Sequence, residues 1–567
     1  MRRISTIAGL GSIALVFLVS SCFKDGLLNL TNGLAFNVNA KLLHAPISVS
    51  FVNADPATNN LPDNIFLDTY GKDAGTLFTP TGGNNLVVID GLVYIGIKDN
   101  VAPTADEPLS FGIEATAPGF YPANYFVSLY NRDIPQYVTV YLVEEGNNPN
   151  GVSDRKEFHQ INSTGFDAAR QFETPLNNGK EDRIKLLVEQ GTQLLTATNS
   201  LVTGNVQVNL VHYDNRSNIS LRAISGITES VPATTLNGEN LGTVTFYPAG
   251  LYSLSMNAGA VSADHFSLPL QATMTLNPKT YNPETGQYYA VGDQLHVWHF
   301  EEANSRWVEI LHTTVEKENG RLVVHYQQDH SGTWMVGQYA DLCDVGATLT
   351  IQSNIPQGAC SREFYTTLVD INTGKPVSSK WSDNYLQMQD QSRITLTQIP
   401  KGTIAKLQVW EGVRGCEGQL LGETQPFNVC NSNNFQLDLK ELTTSGWLPI
   451  SLSIAGYCDV KGEMVTIKPD NRIMYRPAGC GVYGLLGDLE EGEGCTATLK
   501  KGVTYDFKTL VGEGVYEFMH ITLEDGDQEY LLPSGETVKI HIETTAGVAK
   551  LTLEGLPLPG DICDLID

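Results

Sequence analysis

The sequence predicts an all-β protein built from tandem antiparallel β-sandwich domains. Short segments with period-two alternation, or with continuous β-branched character, run along nearly the whole chain between turns rich in Gly, Asn, Asp and Pro. Helical periodicity is scarce, and strands without intervening helices favour sandwiches over a parallel α/β sheet. The predicted strands include 47–52, 86–89, 137–143, 205–213, 295–300, 321–326, 349–352 and 537–543, and one short helical turn is predicted at 166–172.

The chain length predicts several domains, because 567 residues exceed what a single hydrophobic core organises. A linker-like run of Gly, Asn and Pro at 144–151 marks one boundary. The predicted segments are a lipoprotein signal peptide (1–21), a tether (22–40), a β-sandwich (41–145), a β-rich domain with Trp/His hairpins (146–340) and two disulfide-containing sandwich repeats (341–444 and 445–567).

The first 22 residues indicate export and a lipid anchor. Arg2 and Arg3 precede the uncharged apolar run 7–19, and small residues then lead to Cys22. The run is shorter than the ~20 apolar residues of a membrane span. The end of this segment resembles a lipobox, which implies acylation of Cys22 and a partner membrane. An ordinary signal peptide with a chance cysteine is the alternative. The Lys-Asp pair that follows Phe23 is similar to that of Bacteroidetes-type outer-membrane lipoproteins.

The charge balance is strongly acidic. The chain has 63 acidic and 36 basic residues, a formal charge of −27, and removal of Arg2 and Arg3 would make it −29. Such a charge repels nucleic acid, which we therefore exclude as a partner. A soluble acidic exterior explains the excess without any specific partner.

Eight cysteines besides Cys22 predict disulfides, because an even number in an exported chain indicates oxidised pairs. They are Cys343, Cys360, Cys416, Cys430, Cys458, Cys480, Cys495 and Cys563. The matching Cys-Asp-Val triplets at 343–345 and 458–460 indicate a duplication with two disulfides in each copy. The pairing within a copy stays open. No Cys-x-x-Cys pair occurs, and we predict no metal at these cysteines.

One part of the chain resembles a known module. The strand-like segments 91–97 and 109–115 are followed by the Gly-aromatic turn 119–122. This order is similar to the carboxypeptidase regulatory-like β-sandwich modules of bacterial surfaces. The resemblance covers about 70 residues and implies a fold without catalysis.

Motifs for catalysis are missing from the sequence. It contains no Gly-x-Ser-x-Gly elbow, no His-Glu-x-x-His and no phosphate-binding glycine loop, so we predict no enzyme and no cofactor. The best candidates for metal ligands are the histidines of the second block, His296, His299, His312, His325 and His330. Because His296 and His299 would point to opposite faces of one strand, we interpret the group as surface residues and predict no metal.

Two further features leave alternatives open. The acidic segments 488–493 and 524–529 are hairpin tips or calcium-binding turns, and the hairpin tip is favoured. Aromatic residues of the second block could stack on a sugar or fill a sandwich core, and the core is favoured. These candidate ligand-binding aromatics are Trp298, Trp307, Trp334, Tyr289 and Tyr326.

Together these observations predict a non-catalytic lipoprotein of the outer membrane, surface-exposed and serving as a binding or scaffold component for a glycan or protein. The C-terminal repeats would stand farthest from the membrane. One alternative is a glycan-binding module of a polysaccharide-uptake system. Another is a structural or adhesin subunit resembling the fimbrillins, which would need a protease site after Cys22 and a donor strand.

Overall fold

A computed structural model describes residues 37–38 and 47–563, with gaps at 56, 59, 80–81, 99, 105–106, 133–135, 177–181, 344, 354–359, 361, 378, 380, 382–383, 389, 432–433, 440–448, 461–462, 469–470, 513, 533–534, 536 and 546–547. The predicted all-β fold of tandem sandwiches is confirmed. The signal peptide and Cys22 lie outside the described residues, so the lipid anchor stays a prediction. In the described part of the chain, no helix has both the length and the hydropathy needed to cross a membrane.

The first domain is a sandwich of two sheets. Its strands are β2 (Ile47–Asn53), β3 (Phe66–Tyr70), β4 (Leu77–Phe78), β5 (Leu92–Ile97), β6 (Leu109–Thr116), β7 (Ala123–Leu129) and β8 (Gln136–Leu142), with β1 (Asn37–Val38) before them and a 3-10 turn at Ala74–Thr76. The sheets have the orders β4-β5-β2-β8 and β3-β6-β7. Alternate residues of β2 and β6, such as Val49 and Phe111, fill the core between them.

The second domain is a larger sandwich. Its elements are β9 (Val152–Ile161), β10 (Arg170–Glu173), β11 (Arg183–Val188), β12 (Leu194–Leu195), β13 (Gly204–Tyr213), α1 (Asn218–Thr228), β14 (Val231–Thr234), β15 (Asn240–Ala258), β16 (Val261–Ser262), β17 (His265–Leu276), β18 (Tyr281–Asn282), β19 (Gln287–Tyr288), β20 (Gln294–Glu301), a 3-10 turn (Glu302–Asn304), β21 (Arg306–Thr314), β22 (Glu316–Glu318), β23 (Arg321–His330) and β24 (Gly332–Asp341). An eight-stranded sheet, β14-β21-β20-β24-β15-β13-β9 with β16 beside β15, packs on a six-stranded sheet, β10-β11-β17-β23-β22 with β12 beside β17.

Helix α1 was not predicted from the sequence. Ser217 caps it, its hydroxyl oxygen accepting the Ser220 N–H at 3.3 Å. The helix packs between the eight-stranded sheet and the first domain. Gly226 permits this contact, because a Cβ there would lie 2.3 Å from the Tyr125 ring. The predicted helical turn at 166–172 is wrong, since this segment bends and enters β10, with both of its phenylalanines in the core.

The third and fourth domains are also two-sheet sandwiches. The third contains β25 (Thr348–Ser353), β26 (Arg362–Asp370), β27 (Lys375–Pro376), β28 (Asn384–Met388), β29 (Arg393–Thr395), β30 (Ile404–Val413), β31 (Cys416–Glu423), β32 (Phe427–Asn428) and β33 (Asn434–Leu439). The fourth contains β34 (Ile450–Val460), β35 (Glu463–Ile467), β36 (Asn471–Pro477), β37 (Gly484–Leu489), β38 (Glu493–Thr496), β39 (Thr504–Val511), β40 (Gly514–Thr522), β41 (Gly526–Leu531), β42 (Thr537–Thr545), β43 (Val548–Pro557) and a short helix α2 (Gly560–Cys563).

The first, third and fourth domains share one strand topology. In each, the first strand pairs in parallel with the last: β2 with β8, β25 with β33 and β34 with β43. The opposite sheet contains β3-β6-β7, β26-β30-β31 or β36-β39-β40 in the same order. The Cys-Asp-Val match does not follow this equivalence, because Cys343 precedes β25 whereas Cys458 lies inside β34. The common architecture therefore extends to the first domain, which has no cysteine to mark it.

The eight cysteines form four disulfides, which confirms the predicted oxidation. The pairs are Cys343–Cys430, Cys360–Cys495, Cys416–Cys480 and Cys458–Cys563. The expectation of two disulfides within each repeat is wrong. One bridge lies inside the third domain and one inside the fourth, and the other two join these two domains to each other. The physical reason is side-by-side packing, since Val413 at the end of β30 lies in the hydrophobic core of the fourth domain.

The four domains contact one another in a closed ring. Helix α1 joins the first and second domains, and disulfides join the third and fourth. Between the second and third domains, the hydroxyl groups of Tyr247 and Thr403 lie 3.2 Å apart. Between the fourth and first domains, Arg472 donates to the Ser48 hydroxyl at 2.5 Å and Lys508 donates to the Asp90 carbonyl at 2.8 Å.

Strand β1 lies beside the fourth domain. Asn37 and Val38 pair in parallel with Thr466 and Ile467 of β35. The chain therefore passes the fourth domain before it enters the first. The expectation that the C-terminal repeats stand farthest from the membrane stays a prediction, since Cys22 lies outside the described residues.

Candidate ligand-binding cavity

A cavity of about 690 Å³ lies where the four domains meet. Strands β7 and β8 of the first domain and helix α1 of the second form one side. The hairpin β18–β19, strands β26 and β28 of the third domain, and strands β36 and β37 of the fourth form the rest. This volume falls within the range of small-molecule sites, which commonly occur at domain interfaces.

Tyrosine side chains form much of the apolar lining. Tyr281 and Tyr288 face each other across the β18–β19 hairpin, and Tyr288 is 61% exposed. On the other side, the rings of Tyr137 and Tyr385 meet edge to face with centroids 6.1 Å apart. This edge-to-face geometry is favourable for aromatic pairs and holds these two rings in place. Tyr288 is exposed and Tyr281 is half-buried, so this pair leaves aromatic surface available to a ligand.

Cationic groups in the lining are oriented by protein partners. Arg472 is buried, and its guanidinium group pairs with the Asp488 carboxylate at 2.7 Å in addition to its bond with Ser48. Arg222 of α1 donates to the Tyr365 hydroxyl at 3.3 Å across the boundary between the second and third domains. These contacts hold the two guanidinium groups in position before a ligand binds, which lowers the entropic cost of binding.

Two acidic side chains of the third domain also line the cavity. Burial raises the pKa of Asp370, while backbone N–H groups of Thr373 and Asn372 oppose the rise. Burial raises the pKa of Glu363 to about 8; the Asp488 charge adds to this rise and the Arg472 charge opposes it. Glu363 is therefore mostly protonated at neutral pH and offers a hydrogen-bond donor as well as an acceptor.

The raised pKa of Glu363 predicts a pH-dependent stability. Below about pH 4.5 the Glu363 carboxyl is protonated in both the folded and the unfolded chain. Between pH 4.5 and about 8 the unfolded chain releases this proton, whereas the folded chain keeps it. The free energy of unfolding should therefore fall as pH rises through this window, by at most about 1.4 kcal/mol per pH unit from this group. We expect Glu363→Gln to gain stability relative to the parent between pH 5 and 8, as measured by urea denaturation. A difference between Glu363→Gln and the parent that stays constant across this pH window would contradict the prediction.

The five candidate aromatics from the sequence do not form a surface platform. Trp298, Trp307 and Trp334 are fully buried, and Tyr289 and Tyr326 are nearly so. They divide between the core of the second domain and the contact that this domain makes with α1 and the first domain. The core interpretation is confirmed and the sugar-stacking interpretation is wrong for these residues, because the inward positions of a sandwich strand recur every second residue.

The acidic segments form partly neutralised turns. Within 488–493, Asp488 pairs with Arg472, and Glu493 pairs with Lys468 at 2.9 Å. Within 524–529, Asp525 pairs with Lys501 at 2.7 Å. Residues 488–493 contain a turn closed by the Glu490–Glu493 bridge. The predicted hairpin tip at 524–529 is wrong, because this segment leads from β40 in one sheet of the fourth domain into β41 in the other sheet.

The five histidines are distributed over the second domain. His299 contacts the Ser331 carbonyl at 2.9 Å, His325 pairs with Glu318 at 3.0 Å, and His330 pairs with Asp329 at 2.7 Å. His296 and His312 instead meet at a glutamate, Glu309, that the sequence patterns did not single out. A cross-strand pairing combined with a β-bulge brings them together, and neither can be recognised from residue spacing alone.

Comparison with known proteins yields no family. No protein-family model and no curated protein matches the chain. Among solved structures, it is similar to the major pilin subunit BcpA of Bacillus cereus (9% identity, 90% of this chain and 98% of that chain, TM-score 0.12), to the Bacillus anthracis TIE protein (10%, 71% and 67%, TM-score 0.11) and to the pilus adhesin SpaC from Lactobacillus rhamnosus GG (10%, 72% and 56%, TM-score 0.12). TM-scores of this size assign neither a family nor a function.

Proposed function

We propose that this chain is a non-catalytic binding protein, anchored through Cys22 to the outer membrane and exposed at the cell surface. Its ligand would occupy the central cavity. The observation that carries the proposal is the cavity itself, about 690 Å³ at the meeting point of four domains. The lipobox-like sequence before Cys22 supports the location, and the export implied by it agrees with the four disulfides.

The lining favours a glycan as the ligand. Sugar rings present apolar faces that stack on aromatic rings, and the Tyr281–Tyr288 pair offers such faces. Sugars also present hydroxyl groups that donate and accept hydrogen bonds. The amides of Gln136 and Asn218 and the buried carboxyl of Glu363 supply both roles. Cations and carboxylates occur together in the lining, so that it favours a polar neutral ligand over a strongly charged one.

The test is a binding screen of oligosaccharides with the full-length chain in detergent, measured by calorimetry. We expect Tyr288→Ala to weaken the binding of a captured sugar about 10-fold, which corresponds to about 1.4 kcal/mol. The melting temperature should be unchanged, because the side chain is exposed. Phe158→Ala is the matched control: that side chain is 57% exposed on β9, outside the cavity lining, and its loss should leave affinity unchanged.

The same experiment has clear contrary outcomes. Full affinity in Tyr288→Ala would place the ligand outside the cavity. Failure to bind any sugar, together with concentration-dependent polymers in size-exclusion chromatography, would instead favour the structural-subunit alternative.

A further inference from the structure

The hairpin formed by β20 and β21 brings two histidines and a glutamate to one point. His296 and His312 are directly opposite each other in the antiparallel register, so their side chains lie on the same face of the sheet. Glu309 is three residues before His312 and would face the other way on a regular strand. A β-bulge shifts the register here, because Val297 pairs with Leu311 whereas Trp298 pairs with Glu309. The shift brings Glu309 to the face of the sheet that carries both histidines.

The ligand atoms of these three residues all lie within 4.8 Å of one another. Glu309 Oε1 contacts His296 Nδ1 and lies 2.6 Å from His312 Nε2. The Glu309 carboxylate is 5% exposed, and its other oxygen accepts the Leu236 N–H at 3.0 Å. This backbone bond anchors the carboxylate in the way that outer-shell partners orient metal ligands.

We propose that His296, Glu309 and His312 bind a divalent zinc ion. Two imidazoles and one carboxylate are a ligand set of protein zinc sites, in which the fourth position is left to water or another ligand. Calcium and magnesium prefer oxygen ligands throughout, so that two nitrogen ligands select against them. The ion would join both strands of the hairpin to the Leu236 turn.

The surroundings favour a cation. The ring of Tyr339 flanks the cluster, with its centroid 5.8 Å from that of His296. Two histidine nitrogens and a carboxylate oxygen converge beside it. The side chain of His312 is 56% exposed, which gives an ion access to the buried carboxylate from solvent.

The alternative is a hydrogen-bonded cluster without a metal, and zinc titration distinguishes the two. The full-length oxidised chain, stripped with a chelator, should bind one zinc ion per molecule in calorimetry and gain melting temperature on saturation. His312→Ala and Glu309→Gln should each weaken binding by at least about 10-fold, since removal of a ligand costs at least as much as removal of its outer-shell partner. Because the His312 side chain is exposed, its variant should fold as the parent does, and the melting curve without zinc checks this.

The matched control is His325→Ala. His325 is also exposed in the second domain and also pairs with a glutamate, Glu318, at 3.0 Å, but this pair does not belong to the three-residue cluster. It should keep full zinc affinity. Failure of the parent chain to bind zinc, equal affinity in the His312→Ala variant, or equal affinity of the parent for calcium would overturn the proposal. The measurement uses no sugar, so its result is independent of the proposed glycan site.

Discussion

A protease cut between the third and fourth domains should leave the two fragments joined on a non-reducing denaturing gel. An engineered site within residues 440–448 separates the domains along the chain, while Cys360–Cys495 and Cys416–Cys480 bridge the cut. Reductant should release the fragments. A variant with all four of these cysteines changed to serine should release them without reductant. Separation of the parent fragments before reduction would show that the cysteines pair within each repeat and would contradict the structure.

The same bridges should also contribute strongly to stability. Replacing both Cys360 and Cys495 with serine removes a bridge between residues 135 positions apart in the sequence. The disulfides that remain shorten the loop that this bridge closes. Chain-entropy arguments then predict a loss of about 4 kcal/mol in the free energy of unfolding. Guanidinium denaturation of the oxidised parent and the variant measures it. The intradomain pair Cys343–Cys430 is the control, because its serine variant should lose stability but keep the cut fragments joined.

The fold class could be predicted because the strand signals are local. Strand β42 shows this well: its exposed and buried residues alternate almost without exception, and the alternation is visible in the sequence. Helix α1 could not be predicted in the same way. Its sequence contains β-branched residues and Gly226, which have low helix propensity, and packing between two domains stabilises it.

The candidate sites depend on contacts that residue spacing does not reveal. Tyr137, Tyr288, Glu363 and Arg472 come from four domains, and more than 300 residues separate the first from the last. The His296–Glu309–His312 cluster lies within one hairpin, but a single-residue bulge decides which side chains share a face. The disulfides illustrate the same limit, since an even count predicts oxidation while only the packing of two domains decides the partners.

Trp334→Ala should reduce stability strongly without changing the affinity of the folded protein for a sugar. The side chain is fully buried between the two sheets of the second domain, its ring centroid lies 4.8 Å from that of His299, and its indole N–H donates to the His330 carbonyl at 3.2 Å. Truncation of a buried tryptophan leaves a cavity and costs about 3–5 kcal/mol.

Comparison with Tyr288→Ala tests this prediction further, because Trp334→Ala should lower only the stability and Tyr288→Ala should lower only the affinity for the sugar. Chemical denaturation should detect the loss for Trp334→Ala alone, and calorimetry at a temperature where both variants are folded should detect weaker sugar binding for Tyr288→Ala alone. If Trp334→Ala instead kept its stability and lost the sugar, the tryptophan would have to lie at the surface. Its burial would then be refuted, and the binding site would move from the four-domain cavity to the second domain.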